Sequence, residues 1–443
     1  MGQRRDSRPG FLRSIGPEVL AAASDNDPTN VGTAAAVGAQ TGYQLAWVAV
    51  LAAPLLAIVM TIAAQVGAVG RNDLQSLARK RYGRGVAAVL LVSVVSVNIV
   101  TIAADLQAGA AGLGLLIGVD SRWLVAPLGL ALIILLLVGK YDEVVAILRY
   151  LLLGFLAFGA AAFMAHPDWS EVLRGSLIPA LSMRSAEVTG SLALLGTTLT
   201  SYVYVWETIG RGVEEPPDPA ADAGGLARVK LGAVIGGVVT ALILWFMIVA
   251  CAATLGAHHS TVTSAQQAAA ALRPLAGSAA AGLFAIGLTT SALVALPVLM
   301  ATSAHVVGAQ FDWRRGLSEG IGSALAFYAV LVASLGLALA ITFTGVSVID
   351  MLKAASVIGG LGTPVGVAFL VLLGRDPQIM GPQTISRGLA IAGWVVALLV
   401  GGLGLAFIVA AALASHHRYP NATLPCAPAA NQPGDGRGQA LVV

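Results

Sequence analysis

The chain has 443 residues, 57% of them hydrophobic and 11% charged, with a formal net charge of +3 and a mean hydropathy of +0.84. A soluble domain carries roughly 25% charged residues, so composition excludes an ordinary water-soluble fold and makes the lipid bilayer the first partner. The small net charge excludes a nucleic-acid-binding surface. The two cysteines, Cys251 in an apolar run and Cys426 in a polar tail, build neither a disulfide framework nor a metal motif.

Residues 1–16 are basic, and the apolar region behind them is long and polar in its middle, unlike a cleavable signal sequence. Eleven apolar segments of spanning length follow, at 17–40, 43–69, 86–117, 122–139, 144–165, 187–209, 229–256, 278–308, 320–345, 349–374 and 387–415. The first is interrupted by SDNDPTN, residues 24–30. Pro28 removes a backbone donor and disfavours helix at Asp27. Asp27 and Asn30 then offer hard oxygen ligands, and unwound carbonyls such as that of Ser24 can add more. A carboxylate at membrane depth is costly unless it faces a cavity or a cation. The alternative is that 25–30 forms an external loop between two short helices.

Segment three carries Asp105 with Asn98 and Gln107, either a structural bond-maker or a proton or ion relay. Segment six carries Gly196, Thr197, Thr198, Thr200 and Ser201 in a weakly helical polar patch. Such hydroxyls often only bond back to their own helix, but this patch lies five segments after the first interruption. Glu207 in the same segment is open to two readings, a functional intramembrane carboxylate or an ion-pair partner of Arg211 one turn away. Residues 214–225, EEPPDPAADAGG, read as a surface linker. His305 reads as interfacial at the end of segment eight, and Asp350 with Lys353 as an ion pair at the mouth of segment ten. The tail from His416 is rich in Pro, Asn and Gly and reads as disordered.

The basic clusters at 4–13, 71–84, 211–230, 314–315 and 375–387 fall on one side of an eleven-span layout. The positive-inside rule makes that side cytoplasmic, with the C-terminus external, in a multi-pass protein of the plasma membrane. Spans 1–5 (17–165) and 6–10 (187–374) then run in opposite senses, with a final span at 387–415. That is the inverted-repeat plan of secondary transporters, whose substrate site lies where the first helix of each repeat is broken.

These residues resemble the natural resistance-associated macrophage proteins, a family of divalent metal transporters. The likeness rests on Asp27-Pro28-Thr29-Asn30, on the run Gly38-Ala39-Gln40-Thr41-Gly42-Tyr43-Gln44-Leu45-Ala46-Trp47, and on Asn72-Asp73-Leu74 with the basic ARKRYG of 78–83. Ala104-Asp105-Leu106 and Leu283–Leu288 extend it. The resemblance implies an all-α membrane protein with a leucine-transporter-like inverted 5+5 repeat and broken helices one and six. It also implies transport rather than catalysis. Asp27 and Asn30 align with side-chain ligands, and Ser24 and Thr197 with carbonyl ligands. Asp105 aligns with an aspartate of the proton pathway.

The departures point to a different ion. Where the family carries Met-Pro-His-Asn in helix six, this chain has Thr200-Ser201-Tyr202-Val203. The soft thioether is replaced by a hydroxyl, which favours Mg²⁺ or Mn²⁺ over softer metals. Glu207 stands where a second family histidine often lies, segment nine has no arginine, and Gly362-Thr363 replace a polar amide. The same losses mark the family's magnesium-transporting branch. The expectation is therefore a divalent-cation importer with little or no proton coupling and no cofactor. Thr200 joins the ligands, Gly196, Ser201 and Tyr202 line the site, and Asp105 and Glu207 handle charge. The alternatives are a proton-coupled Mn²⁺/Fe²⁺ transporter, a transporter of another solute on the same fold, and a non-transporting sensor.

Overall fold

The computed structural model describes residues 24–139, 141–179, 185–214, 223–256, 265–344 and 348–417. The basic N-terminal segment, most of the acidic linker, the tail beyond His417 and the side chains of Asp350 and Lys353 lie outside the described residues. The order is α1 (Pro28–Thr41), α2 (Ala46–Gly70), α3 (Leu74–Ile117), α4 (Arg122–Val138), α5 (Tyr141–Leu151), α6 (Leu156–Met164), α7 (Trp169–Leu177), α8 (Ser185–Thr198) and α9 (Ser201–Ile209). There follow α10 (Ala223–Thr254), α11 (Ala265–Phe311), α12 (Leu325–Phe343), α13 (Val348–Gly374), α14 (Pro377–Met380) and α15 (Arg387–His417).

In a bilayer each backbone group must be satisfied within its own segment, and helices do this for apolar runs. Among the described residues, seven helices are long and apolar enough to span, or eight if Ile358–Gly374 and Pro377–Gln383, bent by 63°, form one span. Segment six falls outside that set because it is split, and of segment one only residues 24–40 are described. Helix α1 has 14 residues, and α8 and α9 have 14 and 9, each short of the roughly 20 a straight span needs. Segment four matches α4, and segment five is α5 and α6 joined by a 3-10 turn at Leu152–Phe155. Leu130, Ile134, Leu325, Leu337, Ile391 and Leu398 point outward from α4, α12 and α15, as lipid-facing side chains do.

Two loop expectations change. Helix α11 begins at Ala265, so helix occupies part of 257–277, the stretch between the expected segments 229–256 and 278–308. Glu214 closes a π turn, Gly210–Glu214, instead of opening an exposed linker, and its side chain is 2% exposed. Gly83 interrupts α3 with φ 85°, ψ 168°, a backbone conformation in which a Cβ is strained. It separates the short basic helix from the long span that follows.

The core is assembled around α3 and α11, which form the most extensive helix pair, followed by α2 with α10 and α3 with α13. Helix α1 is enclosed by α10, α8, α11 and α3. Gly38 allows that enclosure, since a Cβ there would lie 2.8 Å from the Ile248 carbonyl oxygen and 2.9 Å from the Ala252 nitrogen. The head of α1 is thereby held in the middle of the bundle.

Candidate functional site

Each break has a local cause. Asp27 takes extended dihedrals, φ −68° and ψ 165°, and its carboxylate accepts from the Asn30 backbone N–H to cap α1, with Pro28 in the first turn. Proline is tolerated there because that N–H has no intrahelical partner in any case. The second break falls between Thr198 and Ser201. Thr200 takes φ −71° and ψ 143° and makes no side-chain cap to α9. The carbonyl of Leu199 accepts from the Thr363 hydroxyl at 2.5 Å, and the Thr363 carbonyl accepts from Tyr204 at 3.1 Å. Orphan groups of a broken helix are thus met from α13.

The two breaks are bonded to each other. The Asn30 amide donates to the Asp25 carbonyl at 3.1 Å and accepts from the Thr197 hydroxyl at 3.2 Å. The Thr200 hydroxyl crosses the gap to Asp25 Oδ1 at 2.6 Å. The Tyr202 hydroxyl lies 2.7 Å from the Ser24 carbonyl oxygen and 3.2 Å from Asp27 Oδ2. Asp27 Oδ1 accepts from the Asn30 N–H at 2.7 Å. Asp105 joins from α3, its Oδ1 accepting from the Thr29 N–H at 3.1 Å and from the Thr29 hydroxyl at 2.9 Å. Ser291, on α11, donates to the Asn26 carbonyl.

Asp25, Asn26, Asn30, Asp105 and Ser201 have no exposed surface, and Asp27 has 1%. Three carboxylates therefore occur close together in the bundle interior, and no described Lys, Arg or His forms an ion pair with any of them. Asp25 Oδ2, Asp105 Oδ2, the Ser201 hydroxyl and both ends of the Asn26 amide are buried and meet no hydrogen-bond partner among the described residues. No three His, Cys, Asp or Glu side chains among them converge as a ready-made metal cage. The donors at the breaks are carboxylates mixed with amide, hydroxyl and carbonyl oxygens.

Of the residues expected from sequence, Ser24, Asp27, Asn30, Thr197, Thr200, Tyr202 and Asp105 are brought together here. Gly196 and Ser201 are buried within the same break. Two differ in detail from expectation: the Ser24 carbonyl accepts from Tyr202, and the Thr200 hydroxyl is given to Asp25. Glu207 lies apart from the cluster and pairs with Arg211 at 3.6 Å. His305 is fully buried instead of interfacial. Its ring contacts Glu214 at 3.2 Å and packs edge-on against Phe327, the centroids 5.0 Å apart. Glu214 also accepts from the Leu317 N–H at 3.0 Å and the Ser318 hydroxyl at 3.3 Å. Burial pushes the Glu214 carboxyl up, but these bonds and the His305 charge outweigh it and hold it below its ordinary range. Sequence reading missed Asp25 as a site residue, although it stands in the same motif as Asp27. It carries no alignment to a known ligand, and its partner Thr200 is 175 positions away.

The family model described as "Natural resistance-associated macrophage protein-like" matches residues 18–410. The chain belongs to this family. As a family member it is a membrane transporter and not an enzyme. A relative named "Divalent metal cation transporter MntH" from Mycobacterium tuberculosis is 28% identical over 410 residues, covering 89% of this chain and 90% of that protein. A manganese transporter of Eremococcus coleocola, solved in complex with an aromatic bis-isothiourea substituted compound, superposes with a TM-score of 0.74 at 18% identity, over 96% of this chain and 91% of that one. The nucleobase-cation-symport-1 transporter Mhp1 follows with a TM-score of 0.58 at 17% identity, over 90% and 93%. The fold is the leucine-transporter type, and the split first and sixth spans are its broken helices.

Proposed function

We propose that this family member carries hard divalent cations, Mg²⁺ and Mn²⁺, into the cell by alternating access, with little or no proton coupling. The observation that carries the reading is the bonded pair of breaks. Asp27 and Asn30 at the head of α1 reach Tyr202 and Thr197 on the two sides of the second break, all in oxygen chemistry and without a thioether or imidazole. Hard cations prefer such donors, and transporters of this fold bind substrate between half-helices. The names of the Mycobacterium and Eremococcus proteins, a divalent metal cation transporter and a manganese transporter, support the substrate class.

In this reading Asp27 binds the cation through its carboxylate, and Asn30 through its amide oxygen. Carbonyls freed at the breaks and retained waters complete the shell, since Mg²⁺ sheds water reluctantly. The repeats 17–165 and 187–374 move against each other around the site, and the end bearing Arg71, Arg79 and Arg315 faces the cytoplasm. The test is uptake of Mg²⁺, Mn²⁺ and Ca²⁺ into liposomes holding a metal-sensitive fluorophore and a pH dye. Flux of Mg²⁺ and Mn²⁺ that vanishes in Asp27→Ala, with little acidification, is expected. Wild-type flux in that variant sinks the site, and flux of another solute alone sinks the substrate class. Acidification in step with the metal returns proton coupling, with Asp105 as its carrier.

A further inference from the structure

We propose that Asp25 is a second carboxylate ligand of the transported cation, with the Asn26 amide oxygen beside it. This rests on the reading of the breaks as the cation site. The matched motif supplies one acid, Asp27, and one amide, Asn30. The geometry adds another acid and another amide from the two residues just before that motif.

Three observations converge. First, Asp25 belongs to the bonded circuit that joins the breaks. Its carbonyl holds the Asn30 amide at 3.1 Å, its Oδ1 holds Thr200 at 2.6 Å, and Thr197 returns to Asn30 at 3.2 Å. Second, the two acids are satisfied unequally. Asp27 Oδ1 accepts from the Asn30 N–H at 2.7 Å, and its Oδ2 lies 3.2 Å from the Tyr202 hydroxyl, which it shares with the nearer Ser24 carbonyl. Asp25 Oδ2 is buried and has no donor among the described residues. Third, Asn26 stands between them with no exposed surface, and both ends of its amide are unmet. Buried amides and carboxylates are ordinarily paired, and leaving one unmet costs about 1–3 kcal/mol. Here several unmet groups occur in one turn, beside a second acid and without a cationic side chain.

A divalent cation resolves the unmet acceptors together. Two carboxylates balance its charge, and the free lone pairs of Asp25 Oδ2 and Asn26 Oδ1 become ligands. With Asp27 as the only coordinating acid, the second compensating charge would have to come from Asp105, which is bonded to Thr29. Binding through one or two carboxylates with several retained waters is the usual habit of Mg²⁺. Thr200 is then a positioning residue. Its hydroxyl fixes Oδ1 and turns Oδ2 toward the ion, which accounts for its failure to cap α9.

The deciding variant is Asp25→Asn in the full chain, with Asp27→Asn in parallel. The isostere still accepts from Thr200 and has the shape of a protonated aspartic acid, so a purely structural or neutral Asp25 predicts no change. Uptake of Mg²⁺ and Mn²⁺ is measured in liposomes. Melting in detergent is followed in a chelator and in millimolar Mg²⁺. The expected result is a KM raised by about tenfold or more for both ions, with the Mg²⁺-induced melting shift lost. Without ion, the variant should melt at or above wild type, because two like charges no longer share a turn. A wild-type KM and melting shift in Asp25→Asn, with both lost in Asp27→Asn, overturns the second ligand and leaves the site reading standing. Loss of neither in Asp27→Asn overturns both. Should Asp25→Asn not survive gel filtration, Thr200→Val carries the test. It keeps both charges and removes the orienting hydroxyl, so a raised KM with retained Vmax supports the assignment and an unchanged KM overturns it.

Discussion

At the basic end of the bundle, acids taken out of water are met by cations. Asp73 has Arg315 at 2.7 Å, Glu214 has His305 at 3.2 Å, and Asp376 has Arg81. Glu207, further along α9, has Arg211 at 3.6 Å. Between the breaks the pattern inverts, and among the described residues Asp25, Asp27 and Asp105 have only hydroxyl and peptide N–H donors. Both regions obey the same rule, that a buried charge needs an opposite charge. At the basic end the protein supplies each acid with a basic side chain of its own. In the proposed reading, the charge between the breaks is brought by the cation that is carried. On that reading, an acid without a cation of its own marks the proposed site better than burial or polarity alone.

The contrast can be broken by experiment. Asp27→Ala should have the largest effect, reducing cation uptake to that of empty liposomes while the protein still elutes as a folded species. If the variant instead unfolds with its ion absent, the central acids are structural, like those at the end. Arg315→Ala should do the reverse, leaving Asp73 buried without a cation. A loss of about 3 kcal/mol is expected, read as a lower melting temperature with ion affinity kept in the protein that remains folded. Replacing both partners, Asp73→Asn with Arg315→Met, should recover much of that loss, because an unpaired charge costs more than an absent pair.

Acid should separate the regions more gently. Glu214 is held below its ordinary value of 4.5, so the unfolded chain takes up protons first as pH falls. The stability this group contributes is complete above about pH 4.5 and is lost as pH drops through its folded value. Glu214→Gln should flatten the acid limb of a melting-temperature profile and leave the neutral limb merely lowered. An unchanged acid limb removes Glu214 as its source. The smallest effect belongs to Arg122→Ala. Its pair with Asp120 is exposed on both sides, at 75% and 46%, and such pairs contribute little. No resolvable change in melting or uptake is expected.

Much of this was legible in one dimension. Hydropathy located the spans, since α3, α13 and α15 each contain the apolar segment expected of them, and α2 and α10 cover all but the first three or last two residues of theirs. The proline and aspartate of DNDPTN marked the first break because both act locally, one by lacking a donor and the other by capping. His305 and Glu214 were misplaced for the opposite reason. Nearness to a helix end and an acidic, Pro-rich neighbourhood predict exposure, yet the two residues bury each other across 91 positions. Asp25 was passed over because its significance lies in the bond to Thr200 and in what its other oxygen lacks.

The sequence by itself determined a helical membrane protein, the family and the place of the two interruptions, and it offered the hard-oxygen residues on which the proposal rests. These follow from composition, from local backbone chemistry and from the kinds of atoms present. Only the tertiary structure decided which acids have a cation and which do not. Charge compensation acts between side chains brought together by packing, and neighbours in a bundle need not be neighbours in the chain.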